Sequence, residues 1–223
     1  GSSSCFVVGL SKALFEILKI KKNKKQLASF TIDFEHNILN EIVGSQDQTA
    51  TVYGGFNRIN FKKNKILVKK IKNKNNLNRL NKNLMLLYTG IQRNAPDVAK
   101  KYVNTLTIQN KKRINQLIKH VNEGEKIINN GNIDDFGYLL DEAWHYKKEI
   151  SRNISNPKID EIYKVAKKNG ALGGKLLGAG GGGSVGLLCA PNSKEMVIKE
   201  LERFGWVNIN WNYDDLGIVI DEK

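Results

Sequence analysis

The sequence of 223 residues predicts an α+β fold, in which strands and helices occupy separate stretches of the chain. Three observations predict it. Residues 56–71 alternate as a β-hairpin does, and residues 96–169 show helical periodicity. The tail reads as strand, helix, strand, strand, which is the order found in split βαβ folds.

Composition and charge narrow the class of protein. Hydrophobic residues make up 40% of the chain, and no apolar run approaches the length of a membrane span. The formal net charge is +14, but the lysines are scattered and the aromatic residues do not interleave with them, which argues against nucleic acid as the partner. Cys5 and Cys189 fit no disulfide or metal pattern, so we expect a cytoplasmic protein of open oligomeric state.

Two helices are predicted before residue 40. The first follows a small-residue loop and places one apolar side chain on the same face at each turn, namely Phe6, Leu10, Leu14 and Ile17. The second is predicted over Gln26–Leu39, after a solvated charge run, with a buried face made of Leu27, Phe30, Phe34 and Ile38. Gly1, Ser2, Ser3 and Ser4 stand at the first helix start. Backbone N–H groups and hydroxyls there can hold a polyphosphate, or the stretch is a tag remnant with an N-cap serine.

Two acids form the most informative pattern in the chain. Glu35 and Asp47 lie twelve residues apart, and Asp47 stands between Gln46 and Gln48. This composition suits a site with one carboxylate on a metal and another on a substrate hydroxyl. Glu41 competes with Glu35 for the metal, and a helix, a polar loop and a turn are the structural alternative.

The middle of the chain is predicted to alternate between short elements. A helix over Gln46–Tyr53 is ended by Gly54-Gly55, and a hairpin turned at Lys63-Asn64 follows. Leu77–Asn83 is predicted to be a polar connector, and Leu84–Tyr88 a buried strand. Arg93, just past that strand, is either an anion-binding residue or a surface arginine.

Three helices are predicted within residues 96–169. The first helix has an apolar face made of Ile114, Leu117, Ile118 and Val121. Asn132 caps the second helix, in which Trp144 is expected to lie in the core. Pro157 begins the third helix.

The glycine-rich stretch from Gly170 to Leu188 contains four consecutive glycines among apolar residues. Such a run fits a backbone that must approach a ligand or another backbone closely, whereas a flexible linker is the alternative. A strand at Ser184–Cys189, a helix at Ser193–Phe204 and strands at Val207–Trp211 and Leu216–Ile220 are predicted to follow.

Three stretches together resemble the GHMP kinase family: GSSSCFVVGLSKAL, residues 35–57 and KLLGAGGGGSV. Their order and relative spacing match, and the resemblance covers essentially the whole chain. It implies the rear part of a ribosomal-protein-S5-like N-terminal domain in residues 1–83, and a ferredoxin-like C-terminal domain with added helices in residues 84–223. Family members have a further N-terminal portion that this sequence lacks. We therefore expect either a missing segment or complementing chain, or an inactive fragment.

Within the family the sequence is most similar to kinases of D-glycero-D-manno-heptose 7-phosphate. The resemblance implies transfer of the γ-phosphoryl group of ATP to the anomeric hydroxyl, giving heptose 1,7-bisphosphate. An L-fucokinase-like or other sugar kinase is the near alternative, and a non-catalytic binding protein on the same fold is the alternative of another class.

The resemblance also implies roles for individual residues. Asp47 would be catalytic, Ser4 and Glu35 would hold Mg²⁺, and Gly1, Ser2, Ser3 and Ser4 would bind the ATP phosphates. The substrate would be bound by Gln46, Tyr53, Arg93, Gly180, Gly181 and Gly182, with Arg93 on the 7-phosphate as our own hypothesis.

Overall fold

The structure is a computed structural model that describes residues 1–63, 65–92 and 110–221. The chain divides into two compact units, residues 1–71 with 213–223, and residues 72–212. The predicted boundary between the family domains at residues 83 and 84 stays a prediction. None of the helices in the described ranges is long and apolar enough to cross a membrane.

The first unit consists of helices and one hairpin. Helix α1 spans Ser2–Ile17, α2 spans Lys24–Asp33 and continues into a π-helical turn at Phe34–Ile38, and α3 spans Gln46–Tyr53. Strands β1 (Asn57–Lys62) and β2 (Lys65–Lys70) pair antiparallel, as predicted. The start of α2 is set by a capping box, in which the side chains of Asn23 and Gln26 each accept a hydrogen bond from the other residue's backbone N–H.

The predicted helix α1 is confirmed, but its apolar residues at helical spacing are not the ones that the unit buries. Phe6, Leu10, Leu14 and Ile17 are all exposed, Phe6 by 69% and Ile17 by 75%, whereas Ser4, Val8 and Ser11 are buried. Val8 packs with Leu27, Ala28 and Val52 in the small core of this unit. Phe30 and Ile38 of the predicted second helix are likewise exposed. Because α1 is apolar on both sides, its periodicity could not identify which side the tertiary structure would cover.

The predicted strand at Leu216–Ile220 is also wrong. This segment lies against α3 and its following turn, where the Ile218 N–H donates to the Thr51 carbonyl at 2.9 Å. Gly54, with φ of +62°, ends α3, and a Cβ on it would stand 2.0 Å from the Gly217 nitrogen. The segment pairs with a helix end instead of a strand, which its apolar alternation could not indicate.

The second unit begins with a helix where a connector was predicted. Helix α4 spans Lys74–Asn83, and its N-terminus is capped by the side chain of Asn73, which accepts from the Asn76 N–H at 3.1 Å. Asparagine has low helix propensity, so the sequence favoured a loop. The cap and the burial of Leu80 stabilise the helix instead.

The remaining helices of this unit are α5 (Lys111–Asn130), α6 (Ile133–Ile150), α7 (Pro157–Lys168) and α8 (Lys194–Glu202), with a short 3₁₀ turn at Arg152–Ile154. The Asn132 cap and the Pro157 start are confirmed. In α5, Ile118 and Val121 are more than half exposed, while His120 and Ile128 are buried, which corrects the predicted face.

The strands of the second unit form an antiparallel sheet in the order β4-β5-β3-β6 within the described part of the chain. They span Leu84–Tyr88 (β3), Ala171–Leu176 (β4), Ser184–Cys189 (β5) and Val207–Ile209 (β6). Strand β4 was not predicted, because its glycines interrupt the alternation. They are needed for packing, since a Cβ on Gly173 would stand 2.0 Å from the Gly137 carbonyl of α6. The core of this unit includes Trp144, as predicted.

Candidate active site

The first unit buries a carboxylate at the start of α1. The Ser4 hydroxyl donates to Glu35 Oε1 at 2.9 Å, and the Gln48 side-chain amide donates to Glu35 Oε2. Ser4 is 3% exposed, Glu35 2% and Gln48 0%, so α1, the π-helical turn and α3 meet at this point. A buried charge needs such partners to offset its desolvation.

Glu35 points inward because it continues the buried face of α2, in which Leu27, Thr31 and Glu35 follow one another at four-residue spacing. The helix widens there into a π-helical turn, in which the Leu39 N–H donates to the Phe34 carbonyl, one residue more than an α-helical turn. Such turns are frequent at functional sites. Glu41, the competing acid, is exposed, and only its backbone reaches Glu35, with its N–H on the Glu35 carbonyl at 2.9 Å.

The donor set fits a magnesium ion with few protein ligands. The described residues pair no lysine, arginine or histidine with Glu35, and they contain no group of three or more His, Cys, Asp or Glu side chains placed to hold a metal. Mg²⁺ prefers hard oxygen ligands and usually keeps several waters or phosphate oxygens, so one carboxylate and one hydroxyl suffice. The Gln48 Oε1 atom, buried without a hydrogen-bond partner, is a further unused oxygen at this place.

Asp47 stands beside the small-residue loop at the start of α1. The Gly1 nitrogen lies 3.4 Å from Asp47 Oδ2, and a Cβ on Gly1 would be 3.0 Å from the same oxygen. The Asp47 side chain is 45% exposed, in contrast to Glu35. Asp47 lies in the first turn of α3. Of the two predicted acids, one is therefore buried and one is accessible, and their roles on a metal and on a substrate hydroxyl stay predictions.

The other residues predicted for the first unit differ in setting. Ser2 and Ser3 are exposed in the first turn of α1, and Gln46 is exposed at the start of α3. Tyr53 is half-buried against the core of the unit, so packing accounts for it. The sequence indicates no role for Gln48 beyond its place next to Asp47. As the next residue along a helix it points away from Asp47 and toward Glu35.

The loop that joins β4 to β5, called the glycine loop below, lies against backbone from two other segments. The Gly181 N–H donates to the Ile154 carbonyl at 2.9 Å, and the Gly183 N–H to the Ile91 carbonyl at 3.0 Å. A Cβ on Gly182 would stand 2.5 Å from the Ile91 carbonyl oxygen. Close backbone approach, one of the two explanations considered for this run, is thus confirmed, and the linker alternative is wrong.

An open pocket of about 330 Å³ adjoins this loop, lined by Tyr88, Ile91, Gln92 and Gly183. Arg93 follows Gln92 in sequence but lies outside the described residues. The sugar-binding roles of Arg93 and of Gly180, Gly181 and Gly182 stay predictions.

Comparison with known proteins bears directly on these two units. A family model described as GHMP kinases N terminal domain matches residues 1–55, and one described as GHMP kinases C terminal matches residues 125–205. The chain belongs to the GHMP kinase family. Its mixed α and β architecture is that of the family's solved members, such as a mevalonate kinase at a TM-score of 0.72 and 24% identity, over 96% of this chain and 64% of that one.

Two similar proteins come from Campylobacter jejuni. A curated D-glycero-alpha-D-manno-heptose 7-phosphate kinase is 33% identical over 210 residues, which cover 91% of this chain and 61% of that protein. A crystal structure described as a candidate sugar kinase matches at a TM-score of 0.75 and 28% identity, over 97% of this chain and 62% of that one. A bifunctional fucokinase/GDP-fucose pyrophosphorylase of Arabidopsis thaliana is 26% identical over 95% of this chain and 21% of that protein. The chain thus spans about three-fifths of the length of the first two.

Proposed function

We propose that this protein is a sugar kinase that transfers the γ-phosphoryl group of ATP to the anomeric hydroxyl of D-glycero-D-manno-heptose 7-phosphate, giving heptose 1,7-bisphosphate. The observation that carries the proposal is the pair of carboxylates, with Glu35 buried on Ser4 and Gln48, and Asp47 accessible beside Gly1. Similarity to the heptose 7-phosphate kinase supports this choice of sugar.

The candidate site residues of the first unit have distinct roles in this proposal. The N–H groups and hydroxyls of Gly1 to Ser4, at the positive end of the helix dipole of α1, bind the ATP phosphates. Ser4 and Glu35 would hold Mg²⁺, which when bound neutralises charge on the phosphates. Asp47 orients the attacking hydroxyl of the sugar and accepts its proton. Phosphoryl transfer requires little else from a protein besides positioning.

The sugar-binding residues are part of the same proposal. Gln46 and Tyr53 would contact the sugar, Arg93 its 7-phosphate, and Gly180, Gly181 and Gly182 would allow close backbone approach to it. We further propose that the protein acts in the cytoplasm.

The exposed apolar face of α1 supports a further polypeptide in the active protein. Phe6, Leu10, Leu14 and Ile17 are between 48% and 75% exposed, and a helix that is apolar on both sides is normally covered on both. A remaining part of a longer chain, or a complementing chain, would cover this face.

A coupled ATPase assay with heptose 7-phosphate and Mg²⁺ tests the proposal. It is run on this chain alone and with the N-terminal portion of the Campylobacter jejuni kinase added. We expect turnover at least in the complemented protein, lowered by about 10²- to 10⁴-fold in Asp47→Asn, because the proton acceptor is lost. Glu41→Gln removes an exposed carboxylate and serves as the control. Absence of ATP binding in the complemented protein contradicts the kinase proposal.

Two alternatives have observations of their own. Similarity to the Arabidopsis fucokinase over 95% of this chain favours an L-fucokinase-like activity, and turnover of L-fucose above heptose 7-phosphate would establish it. The net charge of +14, together with a run from residue 48 to residue 96 that contains no acidic residue, favours a non-catalytic binding protein. A steeply salt-dependent affinity for generic DNA, without ATP binding, is the outcome that supports the second.

A further inference from the structure

Lys175 occupies an unusual place in the sheet of the second unit. It lies on β4, just ahead of the glycine loop, and is half-buried. It is directly opposite Gly186 on β5, which is in turn opposite Leu86 on β3. Directly opposed residues share a face of the sheet, so the adjacent strand places no side chain beside Lys175.

The Lys175 ammonium has no partner among residues 1–63, 65–92 and 110–221. Every other half-buried lysine of those ranges directs its Nζ atom to an oxygen at 2.8–3.1 Å. These pairs are Lys12 with Glu16, Lys147 with the Gly178 carbonyl, Lys148 with Asp160, Lys167 with Asp141, and Lys194 with the Leu84 carbonyl. Among the half-buried lysines of these ranges, Lys175 is therefore the one whose ammonium has no oxygen partner.

Burial removes part of the hydration of the Lys175 ammonium. Desolvation by burial lowers the pKa of the Lys175 ammonium below its ordinary value. An opposite charge beside the ammonium would offset the hydration that it loses on burial. An anionic ligand is the natural source of that charge, because the described part of the protein supplies none.

The sheet places Lys175 on the same face as a residue of the open pocket. Tyr88, which lines the pocket, is opposite Ser184 on β5, and Ser184 and Gly186 are two residues apart on that strand. Residues two apart on a strand point to the same side. Lys175, Gly186, Ser184 and Tyr88 consequently share one face of the sheet, so the ammonium and a residue of the pocket lie on the same side, with the Leu177 side chain over Gly186.

We propose that Lys175 is a phosphate-binding residue, which takes the phosphomonoester of the sugar phosphate that accepts the phosphoryl group. A lysine ammonium binds phosphate as a compact point charge and donates up to three hydrogen bonds. The identity of this ligand rests on the proposed kinase function, whereas the anion site itself rests on the unpartnered ammonium.

The experiment follows the Lys175 side chain directly in the full chain. Lysine labelled with ¹³C at Cε is observed by NMR, and the Lys175 signal is assigned by its loss in Lys175→Met. We expect heptose 7-phosphate and, more weakly, inorganic phosphate to raise the pKa of Lys175, because a bound dianion stabilises the ammonium. In Lys175→Met the affinity for heptose 7-phosphate should fall by about 10- to 100-fold.

Two controls make this result specific. Lys175→Arg retains the charge and should retain part of the affinity, whereas Lys164→Met removes an exposed lysine of α7 and should leave it unchanged. Thermal unfolding checks that Lys175→Met is folded, which we expect because the substitution removes an unpaired charge and keeps an apolar stem.

Each outcome decides between the inference and the kinase proposal. An unshifted Lys175 signal with wild-type affinity in Lys175→Met overturns the inference, even if the protein transfers phosphoryl groups. Loss of affinity for a non-hydrolysable ATP analogue alone overturns the assignment to the acceptor and identifies the nucleotide as the source of the phosphate. A Lys175 signal that responds to the sugar phosphate in a protein without transferase activity supports the anion site while the proposed function fails.

Discussion

At the scale of single residues, the two candidate acids of the first unit have opposite environments. Glu35 is buried and held by Ser4 and Gln48, whereas the Asp47 side chain is nearly half exposed beside Gly1. A buried, hydrogen-bonded carboxylate suits a fixed ligand, and an exposed one suits exchange of substrate and proton. The sequence indicated both acids, because their spacing matched the family pattern, and their roles in the reaction stay predictions. It could not predict Gln48, whose role depends on which side of α3 faces Glu35.

Gln48 offers a test of the magnesium assignment. In Gln48→Leu the Glu35 carboxylate loses one of its two side-chain donors, and partners of this kind typically contribute 10- to 100-fold in metal affinity. We expect Mn²⁺, used as a spectroscopic substitute for Mg²⁺, to bind about 10- to 100-fold more weakly when measured by EPR.

The control for this prediction is Gln46→Leu, which changes an exposed amide two residues earlier on the same helix and should leave Mn²⁺ affinity unchanged. Equal Mn²⁺ affinity in the wild type and in Gln48→Leu would remove Gln48 from the metal site.

At the scale of elements, glycines determine where segments meet. Gly54 and Gly217 approach so closely that neither accepts a side chain, and Gly173 does the same between β4 and α6. The sequence indicated that Gly54-Gly55 would end α3, since paired glycines break helices. It did not indicate that the turn would receive residues 216–218, because that contact joins segments more than 150 residues apart.

Gly54→Ala and Gly9→Ala form a matched pair that tests this reading. Gly54 has a φ of +62° and meets the Gly217 backbone, so its substitution should lower the free energy of unfolding by about 2 kcal/mol or more. Gly9 lies inside α1 with open space around its Cβ position, so alanine there should raise the free energy of unfolding by about 0.5–1 kcal/mol.

Urea denaturation of both variants measures these changes. If Gly54→Ala unfolds at the wild-type urea concentration, the tail does not pack at this turn as described.

At the scale of the whole molecule, α1 contributes to the candidate site on one side and exposes apolar residues on the other. Its first turn carries Ser4, its inner side carries Val8, and its outer side exposes Phe6 and Ile17. The chain spans about three-fifths of the length of two similar proteins, and we propose that a further polypeptide covers this apolar side.

Substituting the exposed side of α1 tests whether it binds a further polypeptide without contributing to the stability of this chain. Phe6→Ser with Ile17→Ser should leave thermal unfolding of this chain within about 0.5 kcal/mol of the wild type per site, because both side chains are exposed. The same variant should lose binding to the added N-terminal portion of the Campylobacter jejuni kinase, and with it the complemented activity.

Phe61→Ser, on the hairpin, removes another exposed aromatic ring and should retain both properties. Unchanged complementation by the α1 variant would show that the added polypeptide binds elsewhere.

The sequence by itself determined the family, the α+β class, the hairpin, strands β3 and β5, the Asn132 cap and the start of α7 at Pro157. These features depend on neighbouring residues, through periodicity, turn chemistry and capping, or on motifs that can be read directly. Only the tertiary structure decided which side of α1 is covered, that α2 ends in a π-helical turn holding Glu35, that β4 is a strand, and that residues 216–220 pack on a helix end. Each of these depends on a contact with a distant segment, whose burial or close approach outweighs the local preference.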